Sequence, residues 1–313
     1  MKGLELSRRY YEEFGVPMLE GEFPELKALL ACGLVGSGSE CFGFDDELSK
    51  DHDFEPSFCI FLPGEDLVDR KTEFRLERAY AKLPSEFCGY KRSLTAPVGG
   101  RRRGVMRLSD FLLEKTGFPD GKPNALSWLR LPDYSLAEVC NGEVFKDGPG
   151  LLTEAREFLS DMPEDVRLKK LAGYLLLMAQ AGQYNYMRCA ARGEAGAAQL
   201  AAAEFVKAAI QVVFLLNRSY MPYYKWAFKA MRALPLLSQL APTLEDILLA
   251  PNGEEDAEDK YMAIEGTASV IIEELMNQGI SEAVCGDLEK HAYSVNDAVK
   301  DTGIRNLSVF AAV

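Results

Sequence analysis

The spacing of hydrophobic and polar positions changes near residue 150. Before that point, apolar runs are short and broken by glycine and proline. Residues 32–36, 58–62 and 105–108 are predicted to be strands, and residues 65–83 are predicted to form a helix. Short strands mixed with helices predict a mixed sheet with helices in the first 150 residues.

After residue 150, apolar residues recur at helical spacing over long stretches. The first predicted helix begins at Pro163, which is followed by two acids that suit a helix N-terminus, and ends near Arg192, with Gly193 closing it. Further helices are predicted at 196–218, 223–233, 242–249, 256–278 and 282–301. The chain is therefore predicted to be α+β, with a mixed-sheet domain at 1–150 and an all-α helical bundle at 151–313.

The charge of the chain narrows the class of partner and of chemistry. Its 313 residues carry a net charge of −13. Residues 251–313 contribute −9 of this, from 4 basic and 13 acidic side chains. This excess of acid argues against a dedicated DNA or RNA coat protein, so a nucleic-acid partner is not expected. With only His52 and His291, His-rich metal sites are excluded, and chemistry is expected to rest on carboxylates.

The cysteines and the apolar runs bear on location. Seven cysteines are scattered without a CxxC pair, mostly in apolar runs, and are predicted to be reduced core residues. The first residues lack the apolar core of a signal peptide. No stretch approaches the roughly 20 uncharged residues of a membrane span. We therefore expect a cytoplasmic protein with no membrane partner.

One segment combines features of a phosphate site and a metal site. A predicted strand is followed by four residues that we name the glycine–serine turn: Gly36, Ser37, Gly38 and Ser39. Glycines let backbone N–H groups approach an anion closely, and serine hydroxyls add donors. Further on, Asp51 and Asp53 precede an apolar run, and on a strand they would share one face. Two adjacent carboxylates repel unless a cation bridges them, so the pair predicts Mg²⁺ beside a phosphate.

Other nucleotide and metal motifs fit the segment less well. It lacks the Gly-Lys-Ser/Thr of a Walker motif, and Cys41 stands where a dinucleotide fingerprint needs its third glycine. The acids do not have the spacing of a calcium loop. A solvated acidic loop after a glycine turn remains as the structural alternative. His52, between the two aspartates, is expected to face the interior in a structural role.

The spacing of these residues resembles the nucleotidyltransferase superfamily of DNA polymerase beta, kanamycin nucleotidyltransferase and aminoglycoside adenylyltransferases. The matching elements are an apolar strand, Gly36-Ser37, and Asp51-His52-Asp53 after 13 intervening residues. Over a longer stretch, the sequence resembles a bacterial family known only as a domain of unknown function. That family has a nucleotidyltransferase-like N-terminal domain and a helical C-terminal domain. The resemblance covers most of the chain, through residues 128–130, 141–145, 180–185 and 220–226.

The resemblance implies a role for each part of the site. Asp51 and Asp53 would bind one or two Mg²⁺ ions that bridge a nucleoside triphosphate and orient an in-line attack on its α-phosphorus. The glycine–serine turn would hold the β- and γ-phosphates. The helical domain would close over the nucleotide through Gln180, Tyr184, Arg188 and Lys225. For those four residues, an ordinary solvated helix face and a surface lysine beside Trp226 are the alternatives.

Two features depart from the superfamily pattern. Active members carry a third carboxylate on a later strand, whereas the matching residues 104–108 contain Arg107 and no acid. Asp110 is the candidate that would replace it. In addition, Pro56 interrupts the predicted aspartate-bearing strand, which fits an edge or bulged strand better than a central one.

Three functions remain open from the sequence. The first is a Mg²⁺-dependent nucleotidyltransferase that moves an NMP group, AMP from ATP, onto a hydroxyl of a small-molecule or protein acceptor that the sequence does not identify. The second is a catalytically degenerate relative that binds or senses nucleotide without chemistry. The third is an RNA-end nucleotidyltransferase that uses the arginines at 101–103, although the overall acidity weighs against it.

Overall fold

The chain folds into two compact units. A computed structural model describes residues 1–51, 54–92 and 103–313, with the backbone alone at Lys50, Asp51, Glu254 and Glu255. The first unit comprises residues 1–123 and 134–161, and the second comprises residues 124–133 and 162–313. Residues 151–161 thus belong to the first unit, and the short segment 124–133 belongs to the second.

A mixed sheet forms the centre of the first unit. The strands of the described residues are β1 (Ala31–Leu34), β2 (Cys59–Leu62), β3 (Glu86–Phe87), β4 (Tyr90–Lys91), β5 (Gly104–Arg107) and β6 (Glu143–Asp147). Four of them pair in the order β5-β2-β1-β6, and β3 pairs with β4 as a separate hairpin. Strand β1 runs antiparallel to both β2 and β6, whereas β2 and β5 are parallel.

Helices make up most of the remaining structure. In chain order they are α1 (Gly3–Tyr10), α2 (Val16–Glu22), α3 (Arg70–Ala81), α4 (Leu108–Thr116), α5 (Ala125–Arg130), α6 (Asp133–Cys140), α7 (Leu151–Ser160), α8 (Glu164–Met178), α9 (Met187–Ala190), α10 (Ala195–Leu216), α11 (Tyr224–Met231), α12 (Leu240–Leu249), α13 (Glu254–Asn277), α14 (Leu288–Asp297) and α15 (Thr302–Arg305). The segment between α8 and α9, Ala179–Tyr186, is a π-helix. The predicted α+β class is therefore confirmed.

The sheet of the first unit is covered on both faces. Successive side chains of a strand point to opposite faces. On β2, Ile60 joins a core cluster with Tyr10 of α1 and Leu76 of α3. On the opposite face, the ring of Phe61 lies 5.2 Å from the ring of Phe111 on α4. Both central strands are buried along their whole length, which explains why they appear in the sequence as continuous apolar runs.

Helix α10 is the core element of the second unit. It packs against α8, the π-helix and α12, and its last eight residues are all buried. Among the described residues, α10 is long and apolar enough to cross a membrane. However, 67% of its most apolar segment is buried within the structure, which is consistent with the core helix of a soluble protein. The helical C-terminal region predicted from the sequence is thus present.

Candidate functional site

The glycine–serine turn follows the end of β1 at a fixed position. Gly36 and Gly38 have φ angles of 102° and 130°, a region that side chains disfavour, so glycine is required at both positions. Asn141, two residues before β6, fixes the start of the turn. Its Oδ1 accepts from the Gly36 amide at 2.9 Å, and its Nδ2 donates to the Gly36 carbonyl at 2.8 Å. The pairing of β6 with β1 therefore sets the geometry of the turn.

The remaining amides of the turn are free to bind an anion. Within the part of the chain that the structure describes, the backbone N–H groups of Ser37, Gly38 and Ser39 donate to no protein acceptor. All three residues are half-buried. Successive amides in a glycine-containing turn form the concave donor arrangement that binds phosphate. By contrast, the Gly36 amide is occupied by Asn141.

Two cations meet at Ser37. The Arg103 guanidinium donates to the carbonyl oxygens of Ser37 at 3.0 Å and Val35 at 3.4 Å, which ties the turn to the residue before β5. The Lys115 ammonium, on α4, lies 3.5 Å from the Ser37 hydroxyl oxygen. Both cations are largely shielded from water, with 10% of the Arg103 side chain and 11% of the Lys115 side chain exposed.

Each of these cations is paired with a carboxylate. Glu40 forms an ion pair with Arg103 and lies so close over Gly38 that a side chain there would collide with it. Glu138, on α6, accepts from Lys115 at 2.8 Å and from the Ser37 hydroxyl at 2.9 Å. Burial lowers the pKa of Lys115, but its hydrogen bonds to Glu114 and Glu138 outweigh this and raise the pKa overall. Lys115 is thus a stable cation beside the turn.

The predicted metal ligands fall largely outside the described structure. The residues Asp53 and His52, and the side chain of Asp51, are not among those described. The backbone of Asp51 belongs to a 3₁₀ helix, Leu48–Asp51, and not to a strand. The expectation that Asp51 lies on a strand is therefore wrong. The strand starts later, at Cys59, after Pro56, which has no N–H to donate to a sheet.

The predicted third acid has a different environment from the turn. Asp110 is exposed in the first turn of α4, and among the described residues its carboxylate has no contact with the turn. On β5, where the superfamily would place an acid, Arg107 is buried. Its guanidinium lies 2.7 Å from Glu73 Oε2 and donates to the Pro63 carbonyl at 2.8 Å. Arg107 therefore joins α3 to the sheet.

Of the arginines at 101–103, Arg103 is the one that the structure describes, and it does not offer the exposed guanidinium that an RNA-binding role requires. Arg101 and Arg102 lie outside the described residues. Arg103 points inward, where it binds two carbonyls of the turn region and Glu40. Its guanidinium also lies 3.3 Å from the sulfur of Cys41. A buried, paired guanidinium is not available to a nucleic-acid backbone.

Three of the predicted nucleotide contacts in the second unit lie together, and one does not. Gln180 and Tyr184 project from the π-helix, and both are exposed. The Arg188 guanidinium, on α9, lies 4.5 Å from the centre of the Tyr184 ring. Lys225 is on α11, where its ammonium lies 5.1 Å from the Trp226 ring. Whether any of these four residues contacts a nucleotide stays a prediction.

Gln180 and Tyr184 line a cavity of about 710 Å³ within the second unit. The π-helix, α13 and the residues around the start of α14 form its walls. The side chains around it include three acids, two tyrosines and three amides: Glu265, Asp287, Glu289, Tyr184, Tyr261, Gln180, Gln183 and Asn185. No lysine or arginine is among its described lining residues. We name it the π-helix cavity.

Several residues of the turn site were not predicted from the sequence. Glu138 and Asn141 act on a turn about a hundred residues earlier in the chain, and Lys115 is 78 residues away from Ser37. No local pattern links them. The sequence offers two weaker signals: Lys115 ends a stretch rich in Lys and Arg that starts at Lys91, and Asn141 begins one segment of the family resemblance, 141–145.

The chain is similar to a protein family and to a solved structure. A family profile described as "Domain of unknown function (DUF4037)" matches residues 128–227, less than half of the chain. No curated protein matches. Among solved structures, the chain is similar to a nucleotidyltransferase-like protein from Exiguobacterium sibiricum 255-15. The identity is 12%, the match covers 84% of this chain and 76% of that chain, and the TM-score is 0.37.

Proposed function

We propose that this protein is a nucleotidyltransferase that transfers an NMP group, AMP from ATP, to a hydroxyl of a small-molecule or protein acceptor. The supporting observation is the glycine–serine turn at the end of β1. Three amides that donate to no acceptor among the described residues lie there beside the Lys115 ammonium, and Asn141 fixes the start of the turn. Positive charge and preorganised amides together are what a triphosphate requires.

In this proposal, backbone amides and two cationic side chains have separate roles in binding the triphosphate. The amides of Ser37, Gly38 and Ser39 would donate to phosphate oxygens. Lys115 could exchange Glu138 for a phosphate, because its ammonium lies beside both that carboxylate and the Ser37 hydroxyl. Arg103 would act as a positioning residue, since it binds the carbonyl oxygens of Ser37 in the turn and of Val35 just before it.

We include Mg²⁺ in the proposal because Asp51 and Asp53 are suited to bind it. Carboxylate oxygens are the donors that Mg²⁺ prefers, and the two residues would hold one or two ions. When bound, the metal would neutralise the charge that develops on the triphosphate. Among the described residues, no group of three or more His, Cys, Asp or Glu side chains is placed to hold a metal ion, so the fit depends on this pair.

A second candidate is a nucleotide-binding protein that performs no transfer. It is favoured by β5, the strand on which the resemblance expects an acid, because β5 instead carries Arg107, which is paired with Glu73. Asp110, the proposed replacement acid, is exposed in the first turn of α4 and, among the described residues, does not contact the turn. For either function we propose the cytoplasm, which agrees with seven free cysteines.

The two candidates are separated by labelling and binding on the full-length chain. We expect α-³²P-ATP with Mg²⁺ to label an acceptor in cell extract, and the Asp51→Asn/Asp53→Asn variant to abolish labelling. Glu22→Gln/Glu25→Gln is the control, because both acids are exposed and lie outside the turn and its charged partners. Equal labelling by the aspartate double variant would contradict the transferase proposal. A rise in melting temperature with ATP and Mg²⁺, without labelling, would favour the binding protein.

A further inference from the structure

The π-helix cavity has the dimensions of a small-molecule site. Its volume of about 710 Å³ lies within the roughly 300–1,000 Å³ typical of ligand pockets. Short π-helical segments are uncommon and are frequently found at functional sites. Here the π-helix turns Gln180, Gln183 and Tyr184 toward one space.

Gln183 holds the three walls of the cavity together. Its Nε2 donates to Glu265 Oε2 on α13 and to the Gly286 carbonyl, both at 2.9 Å. Its Oε1 accepts from the Leu288 amide, the first residue of α14, also at 2.9 Å. Every donor and acceptor group of this amide therefore has a partner on another wall, so the cavity is built in advance of any ligand.

A second anchor fixes the loop that precedes α14. His291 is fully buried, and its ring nitrogens bind the Ser281 hydroxyl at 2.8 Å and the Cys285 carbonyl at 2.9 Å. Gly286 and Asp287, which follow immediately, line the cavity. The buried His291 ring therefore fixes the loop before α14, and with it the position of Asp287 at the edge of the cavity.

The charge of the cavity is of one sign. Glu265 on α13, with Asp287 and Glu289 at the N-terminus of α14, contributes to a set of three carboxylates, and the described lining contains no basic side chain. Among the described residues these acids are not gathered closely enough to hold a metal ion. Carboxylates spread around a wide space fit an extended organic cation better than a compact metal, and they disfavour a triphosphate.

Other lining groups add contacts that a polyamine uses. Tyr261 contributes an aromatic ring, which attracts ammonium groups and packs against methylene chains, whereas the ring of Tyr184 already contacts the Arg188 guanidinium and serves as an apolar wall. The amides of Gln180 and Asn185 have carbonyl oxygens that accept from N–H groups. The lining therefore offers acidic, aromatic and amide groups.

We propose that the π-helix cavity binds a small organic cation with two or more amine groups, of the polyamine class. The site lies within the second unit and does not depend on the proposed transferase function. Glu265 is held by Gln183, so it forms a fixed anionic point at the wall. Asp287 and Glu289 form the second anionic region, near the start of α14.

The test is isothermal titration of the full-length chain with spermidine at an ionic strength of about 0.02 M, where surface charges are weakly screened. We expect one saturable site. The uncharged diol 1,8-octanediol, a chain of similar length, should show no binding. Asp287→Asn/Glu289→Gln should bind spermidine about tenfold more weakly, the loss of affinity that corresponds to ~1.4 kcal/mol. Asparagine at 287 keeps the oxygen that accepts from the Glu289 amide.

The control must separate the cavity from the general acidity of the chain. Glu258→Gln/Glu273→Gln removes the same charge from exposed positions of α13 outside the cavity, and it should bind spermidine as the unsubstituted chain does. Equal weakening by both double variants would show non-specific attraction and overturn the proposal. Absence of spermidine binding by the unsubstituted chain, or equal binding of octanediol, would overturn it as well.

Discussion

The Lys115 ammonium lies 2.8 Å from Glu138 Oε2, and both groups contact the hydroxyl of Ser37. Glu138 lies on α6 and Lys115 on α4, so side chains from two helices meet at Ser37, in the turn that follows β1. Both side chains are largely buried, with 11% and 15% exposed. The carboxylate thus binds the cation, and occupies the hydroxyl, that a phosphate at the turn would use.

Glu138 is therefore expected to compete with bound phosphate. In the Glu138→Gln variant, removal of the charge frees Lys115, and we expect the affinity for a non-hydrolysable ATP analogue to rise about tenfold, or ~1.4 kcal/mol. Isothermal titration with Mg²⁺ present measures this. Glu114 also lies 2.8 Å from Lys115 but is 69% exposed, so Glu114→Gln should change affinity little. Unchanged or weaker binding by Glu138→Gln would show that no competition exists.

Gly182 is expected to be essential to the packing of the π-helix. A Cβ at this position would lie 2.3 Å from the Phe205 ring and 2.8 Å from an Ile264 methyl group. Because both neighbours are buried, Gly182→Ala should lower the free energy of unfolding by about 1–3 kcal/mol. Urea denaturation measures the change.

Gly266 supplies a matched control for that substitution. It lies on α13, and no atom comes within 4 Å of the position that an alanine methyl group would take there. Alanine favours the helix over glycine by about 0.8–1 kcal/mol, so Gly266→Ala should raise stability. If Gly182→Ala also raised stability, the close packing of the π-helix against Phe205 would not be limiting.

The predicted helices and buried strands were recovered because each follows from a local pattern. The strands predicted at 58–62 and 105–108 correspond to β2 and β5, and helix 65–83 corresponds to α3. Helix α3 starts at Arg70 because the Asp69 carboxylate accepts from the Thr72 amide at 2.8 Å. Strand β6 was missed, since its residues are all half-buried and have no alternation that would mark a strand.

The long helix predicted from Pro163 to Arg192 shows where sequence periodicity loses information. The structure continues α8 through the π-helix into α9 and ends near the expected residue. A π-helix keeps the chain helical, so the spacing of apolar residues does not reveal it. The close approach of Gly182 to Phe205 is a tertiary contact that no local pattern specifies.

The candidate site was predictable only in its local part. The turn at Gly36 and Gly38 follows from glycines after an apolar strand, and both have the positive φ angles that such a turn uses. Its partners come from distant positions: 78 residues on for Lys115 and 101 residues on for Glu138. Their meeting depends on how α4 and α6 pack, which one sequence does not determine.

The buried thiols are expected to be unreactive and to destabilise the fold at high pH. Burial raises the pKa of both Cys32 and Cys41 to about 12, whereas Cys88 and Cys285 are exposed. At about pH 8, Ellman's reagent should react rapidly with the exposed thiols and reach the buried ones only on unfolding.

The sign of the pH effect follows from linkage. Unfolded cysteines ionise near pH 8.5, roughly, while the buried thiols stay protonated, so the unfolded state loses protons first. The free energy of unfolding should therefore fall as the pH rises from about 9 toward 12. Cys41→Ala should reduce this slope, and Cys88→Ser should leave it unchanged. Rapid reaction of Cys41 in the folded protein would contradict the prediction.

The ion pair between Lys170 and Asp133 explains why residues 124–133 belong to the second unit. The Lys170 ammonium, on α8, lies 2.6 Å from Asp133 Oδ1 and donates to the Leu131 carbonyl at 3.0 Å. Both charged side chains are almost fully buried, with 3% and 2% exposed. The domain boundary predicted at residue 150 assigns this segment to the first domain. Its contact with α8 depends on two residues 37 positions apart, which no local pattern reveals.

Breaking this pair should be among the most costly single substitutions. Asp133→Asn leaves a buried ammonium without its counter-charge, so we expect a loss of about 3–5 kcal/mol in the free energy of unfolding, measured by urea denaturation. Adding Lys170→Met to that variant should recover part of the loss, because the uncompensated charge is removed. Glu154→Gln, which breaks the exposed pair with Lys122, should cost at most about 1 kcal/mol. Equal effects of Asp133→Asn and Glu154→Gln would show that burial of the Lys170 charge is not what ties the segment to α8.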